Sequence, residues 1–423
     1  MRFVCASFAI LLAVSSAWAA DDKKDKDDGF VPMFNGKDLT GWINVNCHPG
    51  TFFVKDGMVI TTGKPTGFMR TEKQYENFIA DFEWMHLPPK PDAVGNSGFF
   101  VWADPIPAIG SGYTRGIEVQ VLVNLTYTDK KSGKVTASSH GDLFSIWGAT
   151  CVPDRPHPTG GARCIPSENR AKGAGEWNHY RVEAIDGVIK LAVNGKVVSG
   201  VSKCNPRKGY LALESEGSEC RFRNLKIKEL PSSSPKPDET ADVDKGFKNV
   251  YTGLDLGNFE KRDPGHDGHW IPKDWVLHYD GKSEADVKSL YLEKEQGDYE
   301  LVVDWKLPAK KDKDLRYSGL VLRETNEYLL TLTTRTDGKL ILMESSEEKS
   351  SFLVEKNITE IKPVGQWNRT IVNIKDGKLS ATINGKPVIE NVVLKKEPKK
   401  GEVALMDYGH EIDFANIFIR ELR

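Results

Sequence analysis

The sequence predicts an all-β protein made of two related β-sandwich or jelly-roll domains in tandem. Short segments alternate polar and apolar side chains, and tight-turn pairs such as Asn194-Gly195 follow them. Long helical periodicity is absent from the sequence. The same landmarks also recur at a constant offset of 190 positions, since Trp177 and Asn194 are matched by Trp367 and Asn384. These three observations together indicate two copies of one antiparallel sandwich.

The chain has 423 residues, which is more than one hydrophobic core usually supports, so two domains are expected. Two breaks in composition divide it: a charged run before residue 30, and a stretch rich in Pro, Ser and acidic residues in the middle. The predicted organisation is a signal peptide (1–20), a charged leader (21–29), a first sandwich (30–230), a linker (231–246) and a second sandwich (247–423).

The N-terminal segment has the three parts of a signal peptide. Arg2 supplies a positive charge, residues 3–14 are apolar, and small residues at Ala17 and Ala19 favour cleavage near Ala19 or Ala20. The alternative is a retained membrane anchor, but about a dozen apolar residues are fewer than the about 20 that a spanning helix needs. We therefore expect a secreted or periplasmic protein without a membrane span.

Charge excludes one class of partner. The chain carries 58 Lys and Arg residues against 60 Asp and Glu residues, a formal net charge of −2. Since nucleic acids and anionic membrane surfaces are bound through basic patches, neither partner is expected.

Cysteine usage fits an oxidising compartment. Cleavage of the signal peptide leaves five cysteines, and short loops favour pairing of Cys151 with Cys164 and of Cys204 with Cys220, with Cys47 free. No C-x-x-C spacing is present, so zinc ligation by cysteine is not expected.

One strand of the first domain carries two polar side chains that could do chemistry. If residues 117–123 form a strand, Glu118 and Gln120 share one face while β-branched residues cover the other. On a concave face this carboxylate and carboxamide could bind sugar hydroxyls or take a proton. The alternative is an exposed strand face where both are simply solvated.

The two copies differ in length. From Ser97 to Trp177 there are 80 positions, but from Ser318 to Trp367 only 49, so the first domain has 31 extra residues. The longer stretch includes or adjoins residues 140–168. Loops on a rigid scaffold often carry function, so the first domain is the candidate functional one.

A series of motifs in the first domain resembles the 3-keto-disaccharide hydrolase family. The motifs are FNGKDLTGW (34–42), DGMV (56–59), NSGFFV (96–101), GIEVQVL (116–122), GEWN (175–178), VNG (193–195) and FRNLKI (222–227). The resemblance implies a concanavalin A-like jelly roll, export, hydrolysis of sugars oxidised to a ketone at carbon 3, and a concave-face site with Glu118 and Gln120. The sequence departs from the family pattern at Val123-Asn124, where an Asp is often found, and at GDLF (141–144).

Such a sugar can be cleaved by elimination, because the ketone makes the proton on carbon 2 acidic and water adds to the resulting enone. The reaction needs a base, an acid and hydrogen bonds to the enolate. Glu118 is the candidate base, and Gln120 and Asn96 are candidate hydrogen-bonding groups. His140 and Asp142 are candidates for the acid or for metal ligation, although a histidine in a polar loop is often a surface residue. A divalent metal is possible, but the sequence contains no compact ligand motif.

Aromatic side chains fall into two groups. Trp102, Tyr113 and Trp147 are candidates for stacking on sugar rings, because aromatic faces offer an apolar platform. Trp177 and Trp367 recur at the repeat landmarks and are interpreted as core.

The second domain keeps the scaffold without the polar pair. NEYLLTL (326–332) stands where GIEVQVL would, and it lacks the Glu and Gln two residues apart. We expect this domain to bind glycan, pack on the first domain or mediate assembly. The whole chain is predicted to be an exported hydrolase or lyase acting on 3-keto-glycosides. The alternatives are a non-catalytic, lectin-like module pair at the cell surface and a structural partner in a degradative complex.

Overall fold

The computed structural model describes residues 29–423 except 129–130, 132, 134, 139, 159, 261–262, 287–288, 310–314, 348 and 396–397, and only the backbone of 126–128 and 135–138. The predicted signal peptide, and the leader up to residue 28, lie outside the described residues. The described part consists of antiparallel sheets with two short 3-10 helices, Pro237–Glu239 and Pro264–His266. The predicted all-β fold is therefore confirmed. No helix in these ranges is long and apolar enough to cross a membrane.

The first sandwich contains strands β1 (Val31–Pro32), β2 (Trp42–Asn44), β3 (Phe52–Lys55), β4 (Met58–Thr61), β5 (Gly67–Thr71), β6 (Phe78–Leu87), β7 (Gly95–Ala103), β8 (Gly116–Val123), β9 (Thr126–Thr128), β10 (Val135–Ser138), β11 (Leu143–Ile146), β12 (Thr150–Pro153), β13 (Arg163–Cys164), β14 (Asn178–Ile185), β15 (Val188–Val193), β16 (Lys196–Asn205), β17 (Tyr210–Ser215) and β18 (Glu219–Glu229). Sheet I has the order β12-β16-β15-β14-β6-β18-β4-β3, with β1 also paired to β18. Sheet II has the order β13-β11-β8-β7-β17-β5-β2, and β9 pairs with β10.

The second sandwich contains strands β19 (Lys248–Asn249), β20 (Trp270–Lys273), β21 (Val276–Tyr279), β22 (Ser289–Tyr291), β23 (Tyr299–Lys306), β24 (Tyr317–Thr325), β25 (Tyr328–Arg335), β26 (Lys339–Ser346), β27 (Ser350–Asn357), β28 (Asn368–Lys375), β29 (Lys378–Ile383), β30 (Lys386–Val393), β31 (Glu402–Met406) and β32 (Ile412–Glu421). Sheet III has the order β20-β21-β32-β23-β28-β29-β30, with β19 also paired to β32. Sheet IV has the order β22-β31-β24-β25-β26-β27.

Each sandwich has its own core between its two sheets. In the first, Phe82 and Tyr180 of sheet I pack in one cluster with Phe99 and Val119 of sheet II. These side chains come from alternate strand positions, which is how an antiparallel sheet buries one face. The second sandwich repeats the arrangement with a separate core cluster that includes Trp305 and Leu332.

A third apolar cluster joins the two sandwiches. It lies between the face of sheet II that points away from sheet I and the outer face of sheet III. Its buried members are Val45, Phe68, Phe100, Ala103, Tyr210 and Ala212 from the first sandwich, and Val302 and Phe418 from the second. Of the three roles predicted for the second domain, packing on the first is therefore observed.

Polar contacts strengthen this interface around the buried carboxylate of Asp304. The guanidinium of Arg369 donates two hydrogen bonds to it, at 2.6 and 2.9 Å. The amide N–H of Gly110, in the first sandwich, donates to Asp304 Oδ2 at 2.9 Å. Asn416 Nδ2 donates to the same oxygen at 2.8 Å and to the carbonyl of Ser111 at 2.9 Å. The loop between β7 and β8 is thus held by the second sandwich.

The predicted linker, residues 231–246, lies along the first sandwich. Asn77 Nδ2 donates to the carbonyl of Pro231 at 2.8 Å, and Ser233 N donates to Glu76 at 2.6 Å. Asp244 forms an ion pair of 2.8 Å with Arg70. Composition alone therefore missed that this segment makes specific contacts.

The predicted pairs Cys151–Cys164 and Cys204–Cys220 are wrong, because all five described cysteines are buried free thiols. Cys204 lies on β16 and Cys220 on β18, with β15, β14 and β6 between them. Neighbouring strands are about 4.8 Å apart, so roughly 19 Å separates these two positions across the sheet. The Cys151 and Cys164 thiols point to different main-chain carbonyls, at 3.4 and 3.5 Å.

Candidate active site

The candidate site lies on the outer face of sheet II, where β8 runs between β7 and β11. Ile117, Val119 and Val121 of β8 face the core, so Glu118 and Gln120 face outwards, as the alternation predicts. Their exposed fractions are only 7% and 5%. The polar pair is therefore nearly enclosed, and its surroundings decide whether it is chemically useful.

A second carboxylate, that of Glu214 on β17, meets Glu118 above Gly98 of β7. A Cβ atom on residue 98 would lie 2.9 Å from Glu214 Oε2 and 3.0 Å from Glu118 Oε1. The two oxygens are thus close to the same point, and this point is unoccupied because Gly98 has no side chain. Glu214 is 1% exposed, and its Oε2 atom has no hydrogen-bond partner in the part of the chain that the structure describes.

Crowding and burial raise the pKa of both carboxyl groups. Burial, then the charge of Glu216, raises the pKa of Glu118 to about 8, although Arg163 opposes the shift. Burial and the charges of Glu118 and Glu216 raise the pKa of Glu214 well above its usual value. Glu214 therefore holds its proton more strongly than an ordinary carboxyl group, while Glu118 exchanges a proton near neutral pH, a pairing that suits an acid and a base.

A chain of hydrogen bonds fixes the Gln120 amide. Gln120 Nε2 donates to Asn96 Oδ1 at 2.8 Å, and Asn96 Nδ2 donates to Glu216 Oε2 at 2.5 Å. The Tyr113 hydroxyl also donates to Glu216. Since Tyr113 lies in the loop held by Asp304, these hydrogen bonds connect the site to the contact between the sandwiches.

An ion pair between Arg163 and Asp142 lies on the β11 side of the site. Arg163 Nε donates to Asp142 Oδ2 at 2.5 Å, and its Nη2 lies 3.5 Å from Gln120 Oε1. Burial raises the pKa of Asp142 to about 6 despite the nearby guanidinium. The guanidinium also stacks over the Phe144 ring at 4.3 Å. The Arg163 guanidinium thus pairs with Asp142 and lies close enough to Glu118 to oppose the rise in its pKa.

Partly exposed side chains surround the enclosed groups and form the edge that a ligand would meet first. They are Asn96, Tyr113, Phe144, Arg163 and Glu216. This edge mixes aromatic, amide and charged groups, a combination that suits a sugar ring with its hydroxyls.

A family model for the 3-keto-alpha-glucoside-1,2-lyase-like domain matches residues 29–228 and 246–420. The chain belongs to this family. The match covers both sandwiches, so the chain is a tandem-domain member, as its motifs indicate. A search of curated proteins gave no match.

Solved structures similar to this chain include a putative glycosyl hydrolase from Parabacteroides distasonis. It is 23% identical, with a TM-score of 0.37 over 48% of this chain and 94% of that one. A carbohydrate-binding module from Bacillus subtilis is 10% identical, with a TM-score of 0.28 over 32% and 85%. Likeness at this level supports no statement about substrate or activity.

Three of the predicted site residues lie outside this cluster. Trp102 was expected to stack on sugar but is fully buried in the core, where its Nε1 donates to the carbonyl of Glu76 at 2.8 Å. That prediction is wrong, because the left-handed backbone at Trp102 (φ 56°) breaks the strand alternation. His140 is half-buried and hydrogen-bonds to Asn169, and burial lowers its pKa.

Trp147 is exposed by 48% at the end of β11. With Arg115, Phe247 and Ile371 it lines a cleft of about 320 Å³ between the two sandwiches. It therefore belongs to a neighbouring surface and not to the carboxylate cluster.

Glu214, Glu216 and Arg163 were not predicted from the sequence. Leu213 faces the core while Glu214 faces outwards, so the alternation in residues 210–216 carried a usable signal. Nothing local places that strand beside β8, because the two meet only through β7.

The second sandwich has lost the polar groups of the site. Strand pairing identifies the equivalent positions in sheet IV and shows that the predicted alignment of residues 326–332 with 116–122 is wrong by three positions. Thr331, Thr333 and Met406 stand in the places of Glu118, Gln120 and Glu214. The second sandwich therefore lacks both carboxylates at these positions.

Metal binding by His140 and Asp142 stays a hypothesis. In the ranges that the structure describes, no group of three or more His, Cys, Asp or Glu side chains is arranged to hold a metal ion. We therefore assign no metal ligand, and His140 and Asp142 are described only by the contacts above.

Glu118 should make stability depend on pH. The folded protein keeps the Glu118 proton up to a pKa of about 8, while the unfolded chain releases it near 4.5. Between these values the folded state binds more protons, so the free energy of unfolding falls as pH rises. Glu118→Gln has no such proton, so its stability relative to wild type should rise from about pH 5 to about pH 8. Urea denaturation across this range checks the expectation, and a difference independent of pH would contradict it.

Proposed function

We propose that the first sandwich is an enzyme that cleaves 3-keto-glycosides by elimination and hydration, with Glu118 as the base. The observation that carries this proposal is the convergence of two buried carboxylates above Gly98. Burial raises the pKa of Glu118 to about 8, which places it in the range where a base works efficiently near neutral pH. Membership in the lyase-like family supports the same chemistry.

In the proposed reaction, Glu118 takes the proton from carbon 2 of the keto-sugar. The electrons of that C–H bond form a double bond between carbons 1 and 2, and the glycosidic C–O bond breaks. Protonated Glu214 donates its proton to the departing oxygen. Water then adds its oxygen to carbon 1 and a proton to carbon 2, which restores the 3-keto-sugar. Exchange with solvent removes the proton from Glu118 and returns one to Glu214, so the net reaction is a hydrolysis.

The neighbouring groups have matching roles in this proposal. Gln120 and Asn96 hydrogen-bond the sugar hydroxyls, and their mutual bond of 2.8 Å fixes them in advance. Arg163 supplies positive charge for the enolate oxygen, where fixed charges in a dry site are most effective.

The test is turnover of a 3-keto-glucoside by the full chain, compared with the unoxidised parent glucoside. Only the keto compound should be cleaved, because only its carbon 2 proton is acidic. Glu214→Gln should slow cleavage when the leaving group is a second sugar, which must be protonated as it departs. It should spare cleavage of a nitrophenyl 3-keto-glucoside, because nitrophenolate leaves without a proton. Equal cleavage of the oxidised and parent glucosides would contradict the proposal. So would no cleavage of the keto compound, either without metal or with any added divalent metal.

A second candidate is carbohydrate binding without catalysis. The half-exposed Trp147 beside a cleft of about 320 Å³ favours it, since such a ring suits stacking on sugar. Binding that Trp147→Ala abolishes, together with no turnover by the wild type, would support this candidate.

A further inference from the structure

A separate cavity of about 520 Å³ lies at one end of the second sandwich. It is lined by Trp305 at the end of β23, by Leu307 just after that strand and by Arg316 just before β24. The turn between β25 and β26 and the segment 361–366 complete the lining. This volume is in the range of pockets that hold small organic ligands. The cavity contains no residue of the carboxylate cluster.

The cavity is lined by three basic side chains, Arg316, Arg335 and Lys362, and by one acidic side chain, Asp337. Asp337 is already paired with Arg335 at 2.6 Å. The remaining charge is therefore positive, and an anionic group would balance it.

Arg316 is the most informative of these residues. It is 6% exposed, and its Nη1 donates to the carbonyl of Pro308 at 2.7 Å. Its Nε atom is buried without a hydrogen-bond partner, and in the described part of the chain no carboxylate forms an ion pair with it. A buried guanidinium without a counter-charge is unfavourable, and a carboxylate in the cavity would relieve this.

The other walls suit a sugar. Ile361 and Val364 provide an accessible apolar surface, and the Gln366 side chain adds a hydrogen-bonding amide. We propose that this cavity binds a saccharide that carries a carboxylate, such as a uronic acid, with Arg316 contacting the carboxylate. This gives the second sandwich a binding role that does not depend on catalysis in the first.

Calorimetric titration of the full chain with glucuronate, glucose and acetate tests the proposal. Glucuronate should bind, while glucose lacks the charge and acetate lacks the ring, so both should bind at least about tenfold more weakly. Arg316→Met should weaken glucuronate about tenfold or more, Arg316→Lys should weaken it less, and Arg221→Met on the first sandwich should leave it unchanged.

The comparison among the three ligands uses only wild-type protein, so it stays decisive even if an Arg316 variant fails to fold. Equal affinity for glucose and glucuronate would overturn the role of charge. Equal affinity for acetate would overturn the assignment to a saccharide. No heat from glucuronate at all would overturn the proposal.

Discussion

Glu118→Gln is expected to lower kcat/KM for a 3-keto-glucoside by about 10²- to 10⁴-fold, the usual contribution of a general base. Glutamine keeps the shape of the side chain and cannot accept the carbon 2 proton. Because the pKa of Glu118 is raised to about 8, the wild-type group is largely neutral at pH 7. A neutral amide should therefore fit the same buried place with little structural change.

The matched control is Glu229→Gln, which alters an exposed glutamate of β18 that pairs with Lys73 on the surface. It should retain wild-type kinetics. Steady-state kinetics on folded samples, checked by circular dichroism, give the comparison. Activity of Glu118→Gln within a few-fold of wild type would mean that another group takes the proton.

Asp304→Ala is expected to lower the free energy of unfolding of the second sandwich by about 3–5 kcal/mol, the cost of removing one partner from its buried ion pair with Arg369, and to loosen its contact with the first sandwich. Asp304 is fully buried, and its loss leaves Arg369 and Asn416 without their shared acceptor. The Gly110 amide also loses its acceptor. Hydrogen exchange of the loop between β7 and β8 should accelerate, and the urea midpoint should fall.

Asp154→Ala provides the control, since Asp154 pairs with Lys190 on the exposed surface and such pairs contribute about 0–1 kcal/mol. If Asp304→Ala and Asp154→Ala gave equal exchange rates in this loop, the polar contacts around Asp304 would not hold the sandwiches together. Loss of activity in Asp304→Ala is a further expected result, because Tyr113 lies in this loop and its hydroxyl donates a hydrogen bond to Glu216 in the site.

The sequence correctly predicted features that depend only on residues close together along the chain. The two-residue alternation of β8 correctly places Glu118 and Gln120 on one face, because strand geometry fixes it. The same reasoning failed at Trp102, where a left-handed backbone turns the side chain into the core.

Features that depend on contacts between residues far apart in the sequence could not be predicted from it. Glu214 meets Glu118 only because β7 pairs with both of their strands, and no sequence spacing encodes that pairing. The contact between Asp304 and the loop at Gly110 joins residues 194 positions apart. Cys204 and Cys220 are close in sequence but far apart in sheet I, so loop length misled the pairing prediction.

The most direct test of Glu118 as the base that removes the carbon 2 proton is the fate of an isotope label. A 3-keto-glucoside deuterated at carbon 2 is incubated in ordinary water, and the released sugar is examined by NMR. The wild type should return a sugar with hydrogen at carbon 2, and Glu118→Gln should leave the label and the bond intact. Cleavage that retains deuterium at carbon 2 would contradict elimination and, with it, the role given to Glu118.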